Sequence, residues 1–195
     1  MDPINLLVVI NLLVSMGANW GGARKGLKTS ITKVVERPQS YLQKIQPNIS
    51  ALVLVLTVLG IFNVGTLSAG NIQDLISFRL TGLILFVLFS WFHVWSYRSL
   101  GNSYAQDIVI MKNHRLCKTG PYKFIRHPQY LGQILSDLGA GLALMSYIVV
   151  PIVLLVELPL FILRAKKEEK MLAIHFKNEF AEYKSKSGFI LPFIG

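Results

Sequence analysis

The sequence predicts an all-α membrane protein with five transmembrane helices, of which the last two form a hairpin, and a further helix in the cytosol. Composition is the first indication: 15% of the 195 residues are charged, 52% are hydrophobic, and the mean hydropathy is +0.49. Soluble domains carry about 25% charged residues, so this shortage is typical of an integral membrane protein. The second indication is a set of long apolar runs, and the third is the confinement of Lys and Arg to the polar stretches between and after those runs.

Three spans are predicted in the first half of the chain, at about residues 4–20, 48–69 and 77–97. A span needs about 20 mostly apolar residues, and the first segment is short and contains three asparagines. We therefore expect it to depend on neighbouring helices. The third segment opens with Arg79 and closes with a belt of aromatic residues, which is typical of a membrane interface.

The last two spans are predicted from a single apolar run at residues 129–163. The run is too long for one helix across a bilayer and fits two antiparallel helices, at about 129–146 and 149–163. Three residues mark the reversal between them, Ser146, Tyr147 and Pro151. Small residues on the first helix of the hairpin would let a neighbour approach closely, namely Gly132, Ser136 and Ala140. The tail at 165–185 predicts a helix with one apolar stripe, made of Leu172, Phe176, Phe180 and Tyr183.

The positive charges predict the orientation of the chain. All 20 Lys and Arg residues except Arg79 lie in 21–47, in 98–128, or from residue 164 onward. Five spans place these three stretches on one face, and the positive-inside rule makes that face cytoplasmic, with the N-terminus outside and the C-terminus inside. The net charge of +10 then matches cytoplasmic loops and anionic lipid headgroups, and no nucleic-acid partner is predicted.

A polar corner at residues 114–132 lies between the third span and the hairpin, and its sequence is HRLCKTGPYKFIRHPQYLG. Pro121 and Pro128 fix φ and lack a backbone donor, so one helix cannot run through both. Gly120 before Pro121 predicts a turn, and Pro128 suits the first turn of a new helix. The corner is therefore predicted to form a preformed polar pocket at the membrane surface.

The hairpin is expected to bring a second polar cluster to this corner. About 35 residues after Arg126 and His127, the chain reaches Arg164 and the acidic couplet, Glu168 and Glu169. The chain crosses the membrane twice between Arg126 and Arg164, so the two residues are expected at the same depth. Two guanidinium groups, an imidazole and two carboxylates then lie together at one membrane surface. The alternative is that these cations are positive-inside anchors with snorkelling side chains.

Ionisable residues within the predicted spans are further candidates. Asp137 and Glu157 lie at matching depth, roughly 10–12 Å from the cytoplasmic ends of their helices, and His93 lies on the third span. Such residues are functional candidates, or else an interhelical hydrogen-bonded cluster. No metal site is predicted, because no second cysteine or close carboxylate completes a zinc set with His114, Cys117 and His127.

The corner, the later segment RAKKEEKML and the terminal FAEYKSKSGFILPFI resemble the integral-membrane isoprenylcysteine carboxyl methyltransferases and related phospholipid methyltransferases. The family pattern is H-x-L-x3-G-x-Y-x3-RHP-x-Y-x-G, followed by R-x3-EE-x2-L and F-x3-Y. The resemblance covers about residues 79–195, whereas the first two spans match by hydropathy only. The resemblance implies two regions. The N-terminal region, residues 1–75, contains the first two helices and the basic connector, and the catalytic region is residues 76–195.

The resemblance implies S-adenosylmethionine as methyl donor, with S-adenosylhomocysteine as its product, bound on the cytosolic side. It implies that Arg164 faces the methyl acceptor and that Glu168 holds the cofactor. The cluster of charges adds Arg126 to these two as a third candidate catalytic residue. Asp107 stands at the ungapped position of a family glutamine, and Gln106 precedes it. The residues implied to bind the cofactor are Gln106, His114, Arg115, Leu116, Cys117, Tyr122, His127, Pro128, Gln129, Tyr130, Glu168 and Glu169.

The preferred acceptor is a carboxylate on a prenylated or otherwise lipophilic molecule that enters from the bilayer. A carboxylate is already ionised near neutral pH and needs a cation to hold it, which Arg164 supplies, with Arg126 as a possible second. The nearest alternative is N-methylation of an aminophospholipid such as phosphatidylethanolamine, whose amine must lose a proton. Two other classes stay open: an NADPH-dependent sterol-type membrane reductase, which shares a related RHP-x-Y motif, and a non-enzymatic lipid-binding protein.

Overall fold

The computed structural model describes residues 2–32, 34–36, 41–67, 75–101, 110–111, 116–192 and 194–195. Across these ranges the chain is almost entirely helical. The longer helices are α1 (Pro3–Thr32), α2 (Leu42–Ile61), α3 (Ile76–Leu100), α4 (Pro128–Ala143), α6 (Leu158–Phe176) and α7 (Asn178–Lys186). A short α5 (Val149–Ile152) and a π-helical turn (Val153–Glu157) lead into α6, a 3-10 turn covers Gly120–Lys123, and β1 (Val34–Glu36) pairs antiparallel with β2 (Ile110–Met111).

Helices α1, α2 and α3 contain the three candidate membrane spans found in the described part of the chain, at Pro3–Trp20, Leu42–Ile61 and Ile76–Leu100. The prediction of a helical membrane protein is therefore confirmed. The bounds of the second span were wrong, because α2 begins six residues before residue 48 and ends at Ile61. Leu42 is buried against neighbouring helices, which stabilises the extra turn, and Asn63 and Gly65 adopt positive φ just beyond the end of α2.

Helices α3 and α4 pack antiparallel at a distance that only glycine permits. A Cβ at Gly82 or Gly139 would lie within 3.0 Å of backbone atoms of the facing helix, at Ala143 and Phe86 respectively. A Cβ at Gly132 would meet the backbone of His93 at the other end of the pair. The predicted close approach at Gly132 is confirmed, and it places the start of α4 beside the end of α3.

Introducing a methyl group at this contact is expected to destabilise the bundle. Gly139→Ala forces the two backbones apart, and we expect a loss of about 1–3 kcal/mol in the free energy of unfolding, as for other overpacked cores. Thermal unfolding in detergent measures the effect as a lower Tm. Gly17→Ala is the matched control, because nothing lies within 4 Å of its Cβ position on α1. Equal Tm values for the two variants would contradict the packing described above.

Arg79, the one cation outside the three basic stretches, is buried and paired at the opposite end of the bundle from the acidic couplet. Its two Nη atoms donate to the two carboxylate oxygens of Asp2, each at 2.9 Å, and its Nε donates to the carbonyl of Ala143 at 2.9 Å. A hydrogen bond from Arg79 lowers the pKa of Asp2. The pairing fastens the start of α1 to α3 and to the end of α4, which explains how the apolar segment tolerates this charge.

The prediction of one uninterrupted tail helix was wrong. Helix α6 continues directly into the tail but ends at Phe176. Lys177 has a φ of +44°, which is outside the helical range, although its N–H still donates to the carbonyl of Ala173. Helix α7 then starts in a new direction. The break lets Phe180 and Tyr183 become buried, and the hydroxyl of Tyr183 donates to the carbonyl of Tyr122 at 2.6 Å.

Candidate functional site

The described part of the polar corner folds as its prolines predict. Gly120 has a φ of +58°, the 3-10 turn follows it, and α4 begins at Pro128. The segment after α7 then runs alongside the corner: Arg126 N–H donates to the carbonyl of Gly188 at 2.8 Å, and Gly188 N–H donates to the carbonyl of Phe124 at 2.9 Å. The tail is thus held against the start of α4.

Arg164 and Glu168 on α6 meet Tyr130 on α4, as the predicted gathering of the two clusters requires. Arg164 Nε donates to the hydroxyl of Tyr130 at 2.9 Å and lies 3.3 Å from Glu168 Oε1. The hydroxyl of Tyr130 donates to the same Glu168 oxygen. The ring of Tyr130 is held by Phe161, with centroids 4.8 Å apart, so this three-residue cluster has a fixed position between the two helices.

Arg126 is buried, and each of its guanidinium nitrogens has a protein partner. Nε pairs with Glu169 Oε1 at 2.5 Å, and Nη2 donates to the carbonyl of Gly195 at 2.6 Å. Nη1 donates to the carbonyls of Lys184, at 3.2 Å, and Ser187. Arg126 therefore ties α4, α6 and the tail together.

His127 lies between the two carboxylates of the acidic couplet. Its Nδ1 is 3.6 Å from Glu168 Oε2, and its Nε2 is 3.4 Å from Glu169 Oε1. The imidazole stacks on the ring of Tyr130, with centroids 5.4 Å apart, and Phe189 of the tail packs edge-on against it. The side chain is 6% exposed, compared with 22% for Glu168, so Glu168 is the more accessible charged group of the cluster.

The paired state of Glu169 predicts a loss of stability in acid. Burial would raise the pKa of Glu169, but its polar contacts with His127 and Arg126 lower it from 4.5 to about 2. Because the folded pKa is the lower one, ionised Glu169 stabilises the fold above pH 4.5, and this contribution disappears as the pH falls towards 2. We expect Glu169→Gln to have a lower Tm than the native chain at about pH 7, and the difference to shrink below pH 4.5 and largely disappear as the pH falls to about 2.

Unfolding scans in detergent across this pH range test the expectation. Glu179→Gln is the control, because Glu179 pairs with Lys118 at the surface, where both side chains are at least 40% exposed. Its difference in Tm from the native chain should stay small at every pH. A Glu169→Gln difference that does not shrink in acid would contradict the pairing.

The other predicted site residues fall into two groups. Cys117 is half-buried beside the carbonyl of Ser99, with Sγ at 3.4 Å, and Tyr122 is buried under the tail. Leu116 and Gln129 are half-buried, and Pro128 is buried. Three predicted residues lie outside the described residues, namely Gln106, His114 and Arg115. Within the described ranges, no group of three or more His, Cys, Asp or Glu side chains is arranged to hold a metal ion.

Asp137 on α4 and Glu157 at the end of the π-helical turn lie near each other, as their matching depth predicts. Gln133 Nε2 donates to Asp137 Oδ2 at 2.6 Å, and Ser50 Oγ donates to Glu157 Oε1 at 2.6 Å. The pair is therefore part of an interhelical hydrogen-bonded cluster.

Sequence reasoning missed the contribution of α2 to this site. Arg164 Nη1 donates to Gln46 Oε1 at 2.6 Å, and Gln46 Nε2 donates to Ser50 Oγ at 3.0 Å. The only signal in the sequence is the spacing of four residues between Gln46 and Ser50, which puts two polar side chains on one face of a helix.

Comparisons with known proteins place the polar corner and the acidic couplet in a recognised sequence segment. The sequence model of the isoprenylcysteine carboxyl methyltransferase (ICMT) family matches residues 82–174. A protein-S-isoprenylcysteine O-methyltransferase of Saccharomyces cerevisiae is 34% identical over 115 residues, which are 58% of this chain and 48% of the yeast protein. The chain thus spans about half the length of this curated relative.

The fold resembles a solved structure, that of the eukaryotic intramembrane Ras methyltransferase ICMT. The TM-score is 0.61, and the match covers 77% of this chain and 53% of that one at 22% sequence identity. At this identity the likeness shows a common fold. The resemblance to the isoprenylcysteine carboxyl methyltransferase family that the motifs indicate is therefore confirmed, and the chain has the membrane fold of that family.

Proposed function

We propose that this protein is an integral membrane methyltransferase that uses S-adenosylmethionine to methylate the carboxylate of an isoprenylcysteine-like or other lipophilic acceptor. The observation that carries the proposal is the cluster of Tyr130, Arg164 and Glu168, which joins α4 to α6 inside the segment matched by the family. A cation, an accessible carboxylate and aromatic faces stand together there at the end of the apolar helices.

The residues present fit the cofactor. Glu168 is the accessible carboxylate of the cluster and would pair with the cofactor's amino group. The stacked rings of His127 and Tyr130 would offer an aromatic wall beside its positive sulfonium. When bound, S-adenosylmethionine supplies an electrophilic methyl group: an acceptor oxygen bonds to the methyl carbon as the sulfur–carbon bond breaks. The other proposed cofactor-lining residues are Gln106, His114, Arg115, Leu116, Cys117, Tyr122, Pro128, Gln129 and Glu169.

Arg164 is proposed to hold the acceptor carboxylate. The guanidinium is 5% exposed and fixed on one side by Tyr130 and Glu168, so it can present its charge with little loss of conformational freedom. A carboxylate is ionised near neutral pH, so no general base is required. The contribution of the protein is then alignment of the reacting atoms and exclusion of water.

Arg126 is proposed to anchor the tail and not to bind the acceptor. Its contacts with Glu169 and with carbonyls of the tail support this role, because an acceptor carboxylate would have to displace several charge-assisted hydrogen bonds. This revises the catalytic role that the sequence analysis predicts for Arg126.

The proposed membrane arrangement has five spans, with the N-terminus outside and the C-terminus and site in the cytosol. The fourth and fifth spans are α4 and the helix running from α5 into α6. Gly141 lies against Val149 and Val150 at one end of this pair, and Tyr130 lies against Phe161 at the other, which supports an antiparallel hairpin. Residues 1–75 and 76–195 are proposed as the two regions of this bundle.

Two measurements on the purified protein test the proposed function. Isothermal titration should detect binding of S-adenosylhomocysteine and no binding of NADPH. If only NADPH binds, the protein is a reductase. If neither compound binds, the result favours a non-enzymatic lipid-binding protein. Membrane lipids incubated with the protein and a radioactive methyl donor should gain label that alkali releases as methanol, because a methyl ester is cleaved and an N-methyl group is not. Alkali-stable label would identify an aminophospholipid as the acceptor.

A further inference from the structure

Gln46 brings α2 into contact with the site from outside the segment that the family matches. It is 6% exposed and lies on the first turns of α2, whereas the matched segment begins at residue 82. Its Oε1 accepts from Arg164 Nη1 at 2.6 Å, on the side of the guanidinium away from Nε, where Tyr130 and Glu168 make their contacts. Arg164 is thus held from both sides, by groups of different charge.

Residue type determines the direction of the hydrogen bonds that Gln46 makes. An arginine nitrogen can only donate, so the oxygen of the Gln46 amide must face Arg164 and its NH₂ group must face Ser50. Ser50 accepts that hydrogen at 3.0 Å and donates its own to Glu157 Oε1 at 2.6 Å. Glutamine meets both demands, because it accepts at one atom and donates at the other.

The neutral amide has an electrostatic consequence. A glutamate at residue 46 would also accept a hydrogen bond from Arg164. Its negative charge would form an ion pair with the guanidinium, and this carboxylate would compete with any anionic ligand for the same group. Gln46 fixes the orientation of Arg164 without adding that competitor. Glu168 already pairs with Arg164 at 3.3 Å, and Gln46 adds no second carboxylate. Glu157 is kept from Arg164 by the two neutral side chains between them.

We propose that Gln46, held by Ser50 and Glu157, is a positioning residue that orients Arg164 and preserves its positive charge for an anionic acceptor. The inference rests on the proposed function and extends it, because it assigns part of the selectivity for carboxylates to α2. Gln46 acts through Arg164 and has no contact with the reacting atoms in this account.

Two substitutions separate orientation from charge. Gln46→Met has a similar length but removes both hydrogen bonds, and we expect kcat to fall about tenfold, the cost of one hydrogen bond to a charged group. Gln46→Glu keeps an acceptor but adds a charge. We expect it to weaken binding of a carboxylate acceptor by at least about tenfold. Neither change should alter the Kd of S-adenosylhomocysteine more than about twofold, since the hydrogen bonds described for Gln46 go to Arg164 and Ser50 and not to Glu168.

The charge effect is measured with N-acetyl-S-farnesylcysteine as the anionic probe and its methyl ester as the uncharged one. Isothermal titration gives both Kd values for the native chain, for Gln46→Glu and for the control Asn48→Asp. The control adds the same charge on α2 at an exposed position. The native chain and the control should bind the acid more tightly than the ester. Gln46→Glu should lose that preference while its affinity for the ester stays unchanged.

The outcomes distinguish the two proposals. A native chain that binds no S-adenosylhomocysteine, or that shows no preference for the acid, overturns the proposed function. A native chain that behaves as proposed, with Gln46→Glu showing the same preference for the acid, overturns the inference alone. If Gln46→Glu fails to fold, Ser50→Ala replaces it: loss of the hydroxyl that receives Gln46 Nε2 should lower kcat by at least about threefold, and an unchanged kcat overturns the inference.

Discussion

Replacing Arg164 with alanine is expected to lower kcat about 100- to 1000-fold, the range observed when a preorganised charge-stabilising group is removed from an active site. The reason is positional: the guanidinium is buried, fixed by Tyr130, Glu168 and Gln46, and lies where the apolar helices meet the polar corner. Without it, no described cation of this cluster remains to align an acceptor carboxylate, because Arg126 is occupied by Glu169 and the tail. Steady-state kinetics with a prenylcysteine acceptor measure the effect.

Arg164→Lys serves as the comparison variant. Lysine keeps the charge but lacks the planar fork, so it cannot bind Tyr130 and Gln46 at the same time with arginine geometry. We expect kcat of Arg164→Lys to lie between the values for the native chain and Arg164→Ala, with a Kd for S-adenosylhomocysteine close to native in both. The Tm of each variant shows whether the fold survives. A well-folded Arg164→Ala with native kcat would exclude Arg164 from acceptor binding.

Replacing Glu168 with glutamine is expected to weaken binding of S-adenosylhomocysteine by roughly 10- to 100-fold, the range expected for loss of one charge-assisted hydrogen bond to a partly exposed carboxylate. Glu168 is the accessible carboxylate beside the stacked rings of His127 and Tyr130, and it is the group that fits an amino group of the cofactor. Isothermal titration in detergent measures the change in Kd directly, without dependence on the acceptor.

Glu182→Gln is the matched control for Glu168→Gln. Glu182 pairs with Lys186 four residues away, as Arg164 pairs with Glu168, but the Glu182 pair is at least 66% exposed and lies on α7. An exposed pair of this kind contributes little, so the control should bind S-adenosylhomocysteine like the native chain. If both glutamine variants bind like the native chain, Glu168 does not hold the cofactor.

Several elements of this protein follow from the sequence because their causes are local. The shortage of charge and the apolar runs predict membrane helices, and α1, α2 and α3 confirm them. Pro128 predicts the start of α4, and Gly120 the turn before it. The expected meeting of Arg164 with the corner also needed little more than counting, because an apolar run of fixed length returns its end to the depth of its start.

The tertiary structure alone decided the finer assignments. The periodicity of the tail is consistent with one helix, whereas the structure breaks it at Lys177 and binds Tyr183 of α7 to the carbonyl of Tyr122. The motif treats Arg126 and Arg164 alike, yet the tail occupies one and leaves the other beside Glu168.

The clearest case is the contact between Gln46 and Arg164, which are 118 residues apart. Composition and hydropathy establish that α2 is a helix of the bundle. They do not establish how that helix is rotated about its axis, and the rotation decides which polar side chain reaches the guanidinium. By itself the sequence therefore determined that the chain forms apolar helices and where the corner between them turns, because hydrophobicity and backbone stereochemistry act locally. Packing between helices distant in sequence decided which partners each charged side chain has.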